Sequence, residues 1–372
     1  MIRTLAIGHY RSLRDIRLSV GRLTVITGGN GVGKSNVYRA LRLLVDAAEG
    51  QLGRSLAKEG GMPSALWAGP PSKRDNPNEG RRLSIGFADD QLAYELRLGL
   101  PPPGNGAFNL DPEVKAETIR TLQKPKVNLL ERRNATAMLR DYDGNAVTFG
   151  TTIDLYESVL SQLAEPHRYP ILSTLRERLR RWRFYHQIRT DADSPLRAAQ
   201  IGTRTPVLAH DGHDLAPALQ TIIQSGNELA LTEAVADAFE GARLHIESDK
   251  ARFHLELETP GMYRALDAAE LSDGTLRYLA LLAALHTPRP PELLVLNEPE
   301  TSLHPRVLTP LARQIVAAGA RSQVIVVSHA ATLVDAISAA RDATRIELAK
   351  EDGETIVVDR PRLDEPAWKW TT

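Results

Sequence analysis

Two segments of the chain combine a short apolar run with a helical spacing of apolar residues, and they lie far apart in the sequence. In the first, the β-branched run 23–27 precedes apolar positions spaced three and four apart over 37–48. In the second, the nearly all-apolar stretch 276–285 is followed by two apolar runs, 293–296 and 323–327. Strand-length runs next to helical periodicity predict an α/β fold with a mixed sheet.

The middle of the chain has a different pattern. Alternating apolar positions predict antiparallel hairpins with turns near 88–90, 143–145 and 248–250, and a last hairpin that pairs 345–350 with 355–359. The stretch 152–240 has a mostly helical pattern. The stretch 51–80 is rich in Gly, Pro and Ser, and its part GPPSKRDNPNEG at 69–80 predicts an exposed loop. We therefore expect an antiparallel β subdomain and an inserted, mainly helical subdomain.

Composition limits the class of protein. The 372 residues are 42% hydrophobic, which is enough for a sizeable core. There are 46 basic and 46 acidic residues, so binding to nucleic acid or to an anionic membrane requires a local patch. The chain has no cysteine, which excludes disulfides and thiolate ligands and suits a reducing compartment. Without a signal-like or membrane-length apolar segment, we expect a soluble, cytoplasmic protein.

The first apolar run leads into a glycine-rich loop. Gly28 is followed by four residues, by Gly33-Lys34-Ser35, and then by the amphipathic helix pattern, with Gly50 at the position of its C-terminal cap. Glycines allow the loop backbone to wrap a phosphate, and the helix N-terminus adds partial positive charge. Lys34 would hold the β- and γ-phosphates and Ser35 would bind Mg²⁺. A glycine-rich turn is the alternative, which the strand and helix on either side disfavour.

Candidate site residues also flank the second group of apolar segments. Ser272 or Asp273, in the sequence LSDGT, stands where the 276–285 helix begins, and read alone this is an ordinary N-cap. The run 293–296 ends in Asn297 and Glu298, which places one amide and one carboxylate at the end of a buried strand. His329 follows the run 323–327 in the same way, although a capping histidine is an alternative.

In this order the motifs resemble those of the ATP-binding-cassette ATPases, in the RecF-like and SMC-like branch of predicted AAA-type ATPases. Residues 28–35 match the Walker A motif, LSDGT the signature, LLVLNE the Walker B strand, PETSLHP the D-loop and His329 the switch histidine. The resemblance covers about 1–50 and 265–335. Related OLD-type nucleases carry a TOPRIM domain after such a head, and the 43 residues after His329 leave no room for one, so we expect any nuclease on a separate chain.

The resemblance implies roles for the site residues. Glu298 would orient the attacking water or accept its proton, and His329 would contact the γ-phosphate or that water. Asn297 falls where the family has an aspartate that supports Mg²⁺; it keeps an oxygen but loses the charge, so we expect weaker Mg²⁺ affinity. ATP contacts are expected from Gly28, Asn30, Gly31, Gly33, Lys34, Ser35 and Asn36. Ser272, Asp273 and Gly274 would close over the Walker A motif of a second copy.

We accordingly expect residues 1–50 and 260–372 to form the ATPase head and 51–259 to be an insertion. The expected function is an ATP-driven homodimerising switch in DNA repair, chromosome maintenance or phage defence, with ATP and Mg²⁺ as cofactors and DNA or a separately encoded nuclease or effector as partners. Three alternatives remain: a transporter ATPase subunit, a non-hydrolysing ATP sensor that recruits an effector, and an ATPase that regulates a protein without touching nucleic acid.

Three further features have two interpretations each. Arg178, Arg180 and Arg181 are interleaved with aromatic residues at 182, 184 and 185, which suits nucleic acid, but a solvated helix face that runs into a buried aromatic strand is favoured. The cluster HDGHD at 210–214 looks like a metal site, whereas Asp214 is more simply an N-cap. Gln187 is a weak candidate for the Q-loop glutamine of the family.

Overall fold

The computed structural model describes residues 1–70, 81–104, 106–150, 153–358 and 366–371. Its strands are β1 (Thr4–Tyr10), β2 (Leu13–Ser19), β3 (Leu23–Gly28), β4 (Leu83–Ala88), β5 (Leu92–Gly99), β6 (Glu113–Thr121), β7 (Asn128–Arg133), β8 (Thr136–Arg140), β9 (Ala146–Phe149), β10 (Arg183–Tyr185), β11 (Gln200–Ile201), β12 (Arg243–Asp249), β13 (Arg252–Glu258), β14 (Leu266–Asp267), β15 (Leu293–Asn297), β16 (Gln323–Val327), β17 (Ala343–Glu351) and β18 (Glu354–Val357). Its α-helices are α1 (Lys34–Ala48), α2 (Leu52–Lys58), α3 (Met62–Ala65), α4 (Val159–Gln162), α5 (Pro170–Arg180), α6 (Leu215–Ile222), α7 (Glu228–Ala238), α8 (Asp273–Leu285), α9 (Leu308–Gly319) and α10 (Ala331–Ser338).

The chain packs as two compact units. The first contains Met1–Gly21, Ile26–Trp182 and Ile346–Thr372, and the second contains Arg22–Val25 and Arg183–Arg345. These two units are defined by which residues pack together. The predicted domain boundaries, after residues 50 and 259, are instead based on where the motifs lie, and they stay a proposal. Among the described residues, no helix is both long and apolar enough to cross a membrane.

The first unit contains a large antiparallel sheet with the strand order β2-β1-β4-β5-β6-β7-β8-β9. Two predicted hairpins are confirmed, β4 with β5 and β8 with β9, and the last predicted hairpin is confirmed as β17 with β18. Asp359, at the end of that prediction, lies outside the described residues. The ring of Phe87 packs against those of Tyr94 and Trp182, with ring centroids 6.0 and 5.4 Å away, so aromatic side chains fill this core.

The Gly-, Pro- and Ser-rich stretch 51–80 is helical in its first part. Helices α2 and α3 occupy that part, and Leu52, Leu56 and Met62 are buried. Apolar residues four apart give α2 a buried face in spite of the surrounding glycines. Of the predicted exposed loop at 69–80, residues 71–80 lie outside the described part of the chain, so the loop stays a prediction.

The second unit is built around parallel strands. Strands β10, β15 and β16 lie side by side and parallel, and the neighbour of β16 is β3, whose residues 23–25 belong to this unit. Helix α8 is buried along its whole length from Leu276 to Leu285, as its all-apolar pattern predicts. The predicted hairpin near 248–250 is confirmed as β12 with β13.

The stretch predicted as mostly helical is helical only at its two ends. Helices α4 and α5 form one end and α6 and α7 the other, whereas 181–214 contains short strands and irregular backbone. Pro195 and Pro206 interrupt that part, and its apolar residues Leu196 and Leu208 are buried without helical periodicity. Tertiary burial, and not local helix preference, therefore decides the conformation there.

A buried ion pair connects β6 to β7 in the first unit. Glu117 and Arg132 have fully buried side chains, with Oε2 3.8 Å from Nη1. The guanidinium donates to the backbone carbonyls of Asn134, Asp154 and Glu157. The carboxylate accepts hydrogen bonds from Tyr94 Oη, Ser158 Oγ and the backbone N–H of Val159. Because each charge is also hydrogen-bonded, the pair is compatible with full burial.

We expect Arg132→Ala to lower the free energy of unfolding by about 3–5 kcal/mol, because it leaves a buried carboxylate without its counter-charge. Arg133→Ala is the matched control; its side chain is 66% exposed, and its loss should cost less than about 1 kcal/mol. Urea unfolding followed by circular dichroism measures both. Equal midpoints for the two variants would contradict the role of the buried pair.

Candidate functional site

The glycine-rich loop lies between β3 and α1 in the first unit, which confirms the predicted strand, loop and helix. Gly28 has φ 144°, and a Cβ there would lie 2.2 Å from the carbonyl oxygen of Leu348. Gly33 has φ 104°, and a Cβ there would lie 2.2 Å from Thr355 Oγ1. Both the backbone angles and the close neighbours therefore require glycine at these two positions.

The ammonium group of Lys34 is folded into the loop. Nζ donates to the carbonyl oxygens of Gly28 and Gly29, both at 2.7 Å, and the residue is 5% exposed. Lys34 is also the first residue of α1, which begins without a side-chain cap. The helix-start N–H groups and the lysine together favour an anion at this loop.

The loop is held by residues that the sequence did not indicate. Thr355 Oγ1, on β18, donates to the carbonyl of Val32 at 2.7 Å and lies 2.7 Å from Ser12 Oγ. Asn36 Nδ2, one of the expected ATP contacts, donates to the same Ser12 hydroxyl at 2.9 Å. Of the other expected contacts, Asn30 and Gly31 are exposed. No local signal links residues 12 and 355 to the loop, since they are distant in sequence.

In the second unit, β15 ends in a buried amide and an accessible carboxylate. Asn297 is 1% exposed, and its Nδ2 lies 2.8 Å from His186 Nδ1. Glu298 has φ 49°, a backbone region that favours glycine, and its N–H donates to the carbonyl of Val327 at 2.7 Å. The side chain of Glu298 is 32% exposed. The bend in the backbone thus directs the two neighbouring side chains into different environments.

A buried arginine supports this bend. Arg277 Nη2 donates to the carbonyl oxygens of Glu298, at 3.1 Å, and His186, at 2.9 Å. Burial lowers the pKa of Arg277 from its ordinary value, and the negative charges of Glu300 and Glu298 act in the opposite direction. The guanidinium therefore balances the two carboxylates near the end of β15.

Glu300 binds residues 328–330, which follow β16 and include His329, the predicted switch histidine; we call them the switch segment. Glu300 Oε1 accepts hydrogen bonds from Ser328 Oγ at 2.7 Å and from the backbone N–H of His329 at 3.0 Å. His329 Nδ1 lies 3.3 Å from that same oxygen and 3.9 Å from Glu298 Oε1. The sequence indicated Glu298 and His329, but gave Glu300 no part in holding the switch segment.

The predicted signature residues Ser272, Asp273 and Gly274 stand at the start of α8. Ser272 Oγ accepts from the N–H of Thr275 at 3.1 Å, so the N-cap interpretation is confirmed for this residue. Asp273 pairs with Arg197 at 2.7 Å. A Cβ on Gly274 would lie 2.6 Å from the carbonyl oxygen of Ser302, so this glycine packs closely on the predicted D-loop of its own chain.

One feature of Asn297 agrees with its expected role in supporting Mg²⁺. Its Oδ1 is buried and has no hydrogen-bond partner among the described residues, so an oxygen acceptor remains for a metal-bound water. In the first unit, Ser35 stays a predicted Mg²⁺ ligand. Within the described ranges, no group of three or more His, Asp or Glu residues could hold a metal ion by itself. Mg²⁺ bound with nucleotide needs only one or two protein ligands, and phosphates and water supply the rest.

The aromatic residues at 182, 184 and 185 do not have the base-stacking role that a nucleic-acid interpretation requires. Trp182, Phe184 and Tyr185 are between 1 and 3% exposed, so their rings cannot stack on bases. Arg178 is paired with Asp89 at 2.8 Å, and Arg180 lies 3.3 Å from Glu177. Arg181 is exposed. The interpretation as a helix face running into a buried aromatic strand is confirmed for these rings.

The histidines of the cluster HDGHD at 210–214 contact neighbouring protein atoms. His213 Nδ1 lies 2.6 Å from Asp211, and His210 Nδ1 lies 3.1 Å from the carbonyl of Phe184. Asp214 precedes α6 as predicted, but its carboxylate accepts from the N–H of Ala209 and does not cap the helix. Gln187 is exposed, two residues beyond β10, and its assignment stays a prediction.

A glycine-rich loop between a strand and a helix is the arrangement of a P-loop, which binds nucleotide phosphates. The chain belongs to the family described as "AAA domain, putative AbiEii toxin, Type IV TA system", which matches residues 23–335. The predicted likeness to ABC/SMC-like ATPases is thereby confirmed. No curated protein matched the chain.

Solved SMC head domains are similar to the chain in fold. An SMC head with a coiled coil and joint from Pyrococcus yayanosii is 11% identical, with a TM-score of 0.53 and 96% of each chain covered. An SMC head with an extended coiled coil, bound to the C-terminal domain of ScpA, from Pyrococcus furiosus is 14% identical, with a TM-score of 0.51, covering 96% of this chain and 95% of that chain. At this identity the likeness shows the fold alone, and it confirms the predicted P-loop ATPase fold.

We expect Lys34→Ala to weaken ATP binding by at least about 100-fold, since a charge-assisted contact to the phosphates is lost. Arg39→Ala is the matched control, because it removes one exposed positive charge from the same helix. Titration with a fluorescent ATP analogue measures both affinities. Unchanged affinity in Lys34→Ala would contradict the assignment of the loop.

Proposed function

We propose that the chain is an ATP-binding and ATP-hydrolysing head that forms a homodimer when ATP binds. The observation that carries the proposal is the backbone turn at Glu298, which brings a carboxylate out of a buried strand and within 3.9 Å of His329. Residues 1–50 and 260–372 are proposed as the head and 51–259 as the insertion. The alternative of a transporter subunit is disfavoured by the long insertion.

Each residue at the site has a proposed task. Lys34 and the loop N–H groups bind the β- and γ-phosphates, and Gly28, Asn30, Gly31, Gly33 and Asn36 shape or flank that loop. Ser35 and Asn297 Oδ1 support Mg²⁺, which neutralises phosphate charge when bound. Glu298 accepts a hydrogen bond and then a proton from the attacking water. As water attacks the γ-phosphorus, the bond to the bridging oxygen breaks and ADP leaves.

Asn297 favours a second candidate function. An amide supports a metal-bound water through Oδ1 but adds no negative charge, so Mg²⁺ is held less tightly than by a carboxylate. A chain that binds ATP and hydrolyses it slowly or not at all acts as an ATP sensor, and its dimer recruits an effector. The two functions differ in whether wild-type protein releases phosphate.

The biological setting is proposed from the family. The family is described by a putative AbiEii toxin of a type IV toxin–antitoxin system, which favours defence over DNA repair or chromosome maintenance. Two similar SMC heads were solved bound to ScpA domains, which supports a protein partner for this head. A separately encoded nuclease or effector is therefore preferred to DNA, since Arg178 and Arg180 already have acidic neighbours.

We expect Glu298→Gln to bind ATP normally and to lower kcat by about 100-fold or more, since the proton acceptor is lost while the amide keeps its shape. Glu233→Gln, which neutralises an exposed acid on α7, is the control and should leave kcat unchanged. Phosphate release under saturating ATP measures both. Phosphate release by Glu298→Gln at the wild-type rate would contradict the role of Glu298, and no release by wild-type protein would select the sensor function.

Two inactive variants should restore each other if the signature acts on the partner's loop. Lys34→Ala keeps an intact signature, whereas Ser272→Arg keeps an intact glycine-rich loop and places a bulky cation at the start of α8. Each homodimer should be inactive. A heterodimer contains one site with both lesions and one with none, so mixing should restore up to about half of the activity per heterodimer.

The control for this mixing experiment is Lys34→Ala mixed with the double variant Lys34→Ala/Ser272→Arg, because no heterodimer then has an intact site. Thermal unfolding of Ser272→Arg tests whether loss of the N-cap damages α8, which should cost about 1 kcal/mol. Heterodimers that form but show no ATPase activity at any mixing ratio would refute the shared site.

A further inference from the structure

One face of the large antiparallel sheet in the first unit has small residues at its centre. The strand register places Ala6 of β1 opposite Gly86 of β4, and Ala88 of β4 opposite Ala93 of β5. Gly8 of β1 lies on the same face, because side chains two residues apart in a strand point to the same side of the sheet. These five residues leave space above the sheet, and we call this space the small-residue groove.

The groove is filled by the C-terminal segment, which we define as residues 366–371. Trp368 is 4% exposed, and its indole packs against the alanines of the groove. A Cβ on Gly86 would lie 2.3 Å from Trp368 Cζ2, and one on Gly8 would lie 3.4 Å from Trp370 Cζ2. The two rings contact each other edge to face, with centroids 5.5 Å apart. The glycines therefore leave the room that the two indoles take.

An arginine lies near the face of each indole. Arg120 Cζ is 5.7 Å from the ring centroid of Trp368, and Arg97 Cζ is 5.9 Å from that of Trp370. A guanidinium at this range is attracted by the quadrupole of the ring, which an aliphatic side chain lacks. These contacts therefore favour aromatic side chains at both positions of the segment.

Glu95 binds the end of the segment. Its two carboxylate oxygens each accept from the backbone N–H of Thr371 at 3.1 Å, and Oε2 also accepts from the Thr371 hydroxyl at 3.1 Å. Arg97 Nε donates to the same carboxylate at 2.7 Å. Hydrogen bonds to a charged acceptor are stronger than those between neutral groups. Because Thr371 directly follows Trp370, Glu95 fixes how the segment is aligned in the groove.

The segment is held as a bound peptide is held, and not as an additional strand. Within the described ranges, residues 366–371 form no strand, and Lys369 between the two indoles is exposed. Trp368 Nε1 is buried and has no hydrogen-bond partner among the described residues. This lost hydrogen bond to water weakens docking of the indole. The segment therefore lacks the ladder of backbone hydrogen bonds that joins one strand to another, and one of its main contacts carries a cost.

We propose that the small-residue groove is a binding site for peptide segments with two tryptophans one residue apart, and that the chain's own C-terminal segment occupies it as a displaceable ligand. The partner that fits is a second protein that presents Trp-x-Trp followed by a residue with a hydroxyl. Such a partner competes with a segment that is tethered to the groove and so has a high effective concentration. The inference does not rest on ATP hydrolysis.

Binding of a separate peptide is measured on the full-length chain without the two indoles, Trp368→Ala/Trp370→Ala, by fluorescence anisotropy. The probe is a labelled synthetic peptide with the sequence of residues 366–372. We expect it to bind this variant, and to bind wild-type protein at least about 10-fold more weakly, because the wild-type segment competes within the same chain. Equal affinity for the two proteins, or no binding to a double variant that circular dichroism shows to be folded, overturns the proposal.

Changes in the probe and in the groove test which contacts recognise the peptide. A peptide with Ala in place of either tryptophan should bind at least about 10-fold more weakly, whereas Ala in place of its exposed lysine should change affinity less than about twofold. In the double variant, adding Arg120→Ala should weaken binding by about 3- to 30-fold. Arg133→Ala, which removes a 66% exposed arginine from the same sheet, is the matched control. Unchanged affinity without the tryptophans, or equal losses from the two arginine substitutions, overturns the proposal.

Displacement of the chain's own segment is measured on wild-type protein, so this test stands even where the double variant does not fold. Labelling with 5-fluorotryptophan gives ¹⁹F signals for the four tryptophans, and Trp368→Phe and Trp370→Phe assign the two in the segment. Unlabelled peptide is added to about 10 mM, since a tethered segment has an effective concentration of about millimolar. We expect these two signals to move together towards those of the free peptide and the other two to stay unchanged. Signals of Trp368 and Trp370 that do not move overturn the proposal.

Discussion

The left-handed backbone at Glu298 is the constraint on which the second half of the candidate site depends. A side chain in this conformation costs about 1–2 kcal/mol, so other contacts must hold it. The N–H of Glu298 is bonded to Val327 and its carbonyl to the buried Arg277. Because the chain turns there, Asn297 stays buried while the carboxylate of Glu298 reaches solvent. Strain at this residue thus separates the position proposed to support the metal from the position proposed to be catalytic.

Charges in this protein are balanced locally. The chain as a whole has no net charge, and each unit has a buried pair of neighbours of opposite sign, Glu117 with Arg132 in one and Glu300 with Arg277 in the other. The remaining atoms of Glu117 and Arg132 are hydrogen-bonded, whereas Glu300 Oε2 and Arg277 Nε have no hydrogen-bond partner among the described residues. The Glu117 and Arg132 pair stiffens a sheet, whereas Glu300 also orders the segment that carries His329. A buried carboxylate near a guanidinium therefore stabilises the sheet in the first unit and has a part in the proposed chemistry in the second.

The glycine-rich loop is a local motif, but residues distant in the sequence hold it in place. Its spacing, its glycines and its place between strand and helix were all readable from the sequence, because backbone geometry and phosphate binding impose them on neighbouring residues. Its support from Ser12 and Thr355 was not readable, since contacts between residues hundreds of positions apart depend on how strands are ordered. The close approach of Leu348 to Gly28 has the same origin.

The sequence by itself determined the α/β class, the four hairpins, the buried helix α8 and the family, because each depends on local periodicity or on motifs of adjacent residues. Only the tertiary structure decided that the aromatic rings at 182, 184 and 185 are buried, that 181–214 is irregular, and that 52–58 is a helix. It also decided that Glu300 binds the switch segment, because β15 and β16 are neighbours only once the parallel sheet has formed. Local patterns act within a few residues, whereas burial and pairing between distant segments exist only in the folded chain.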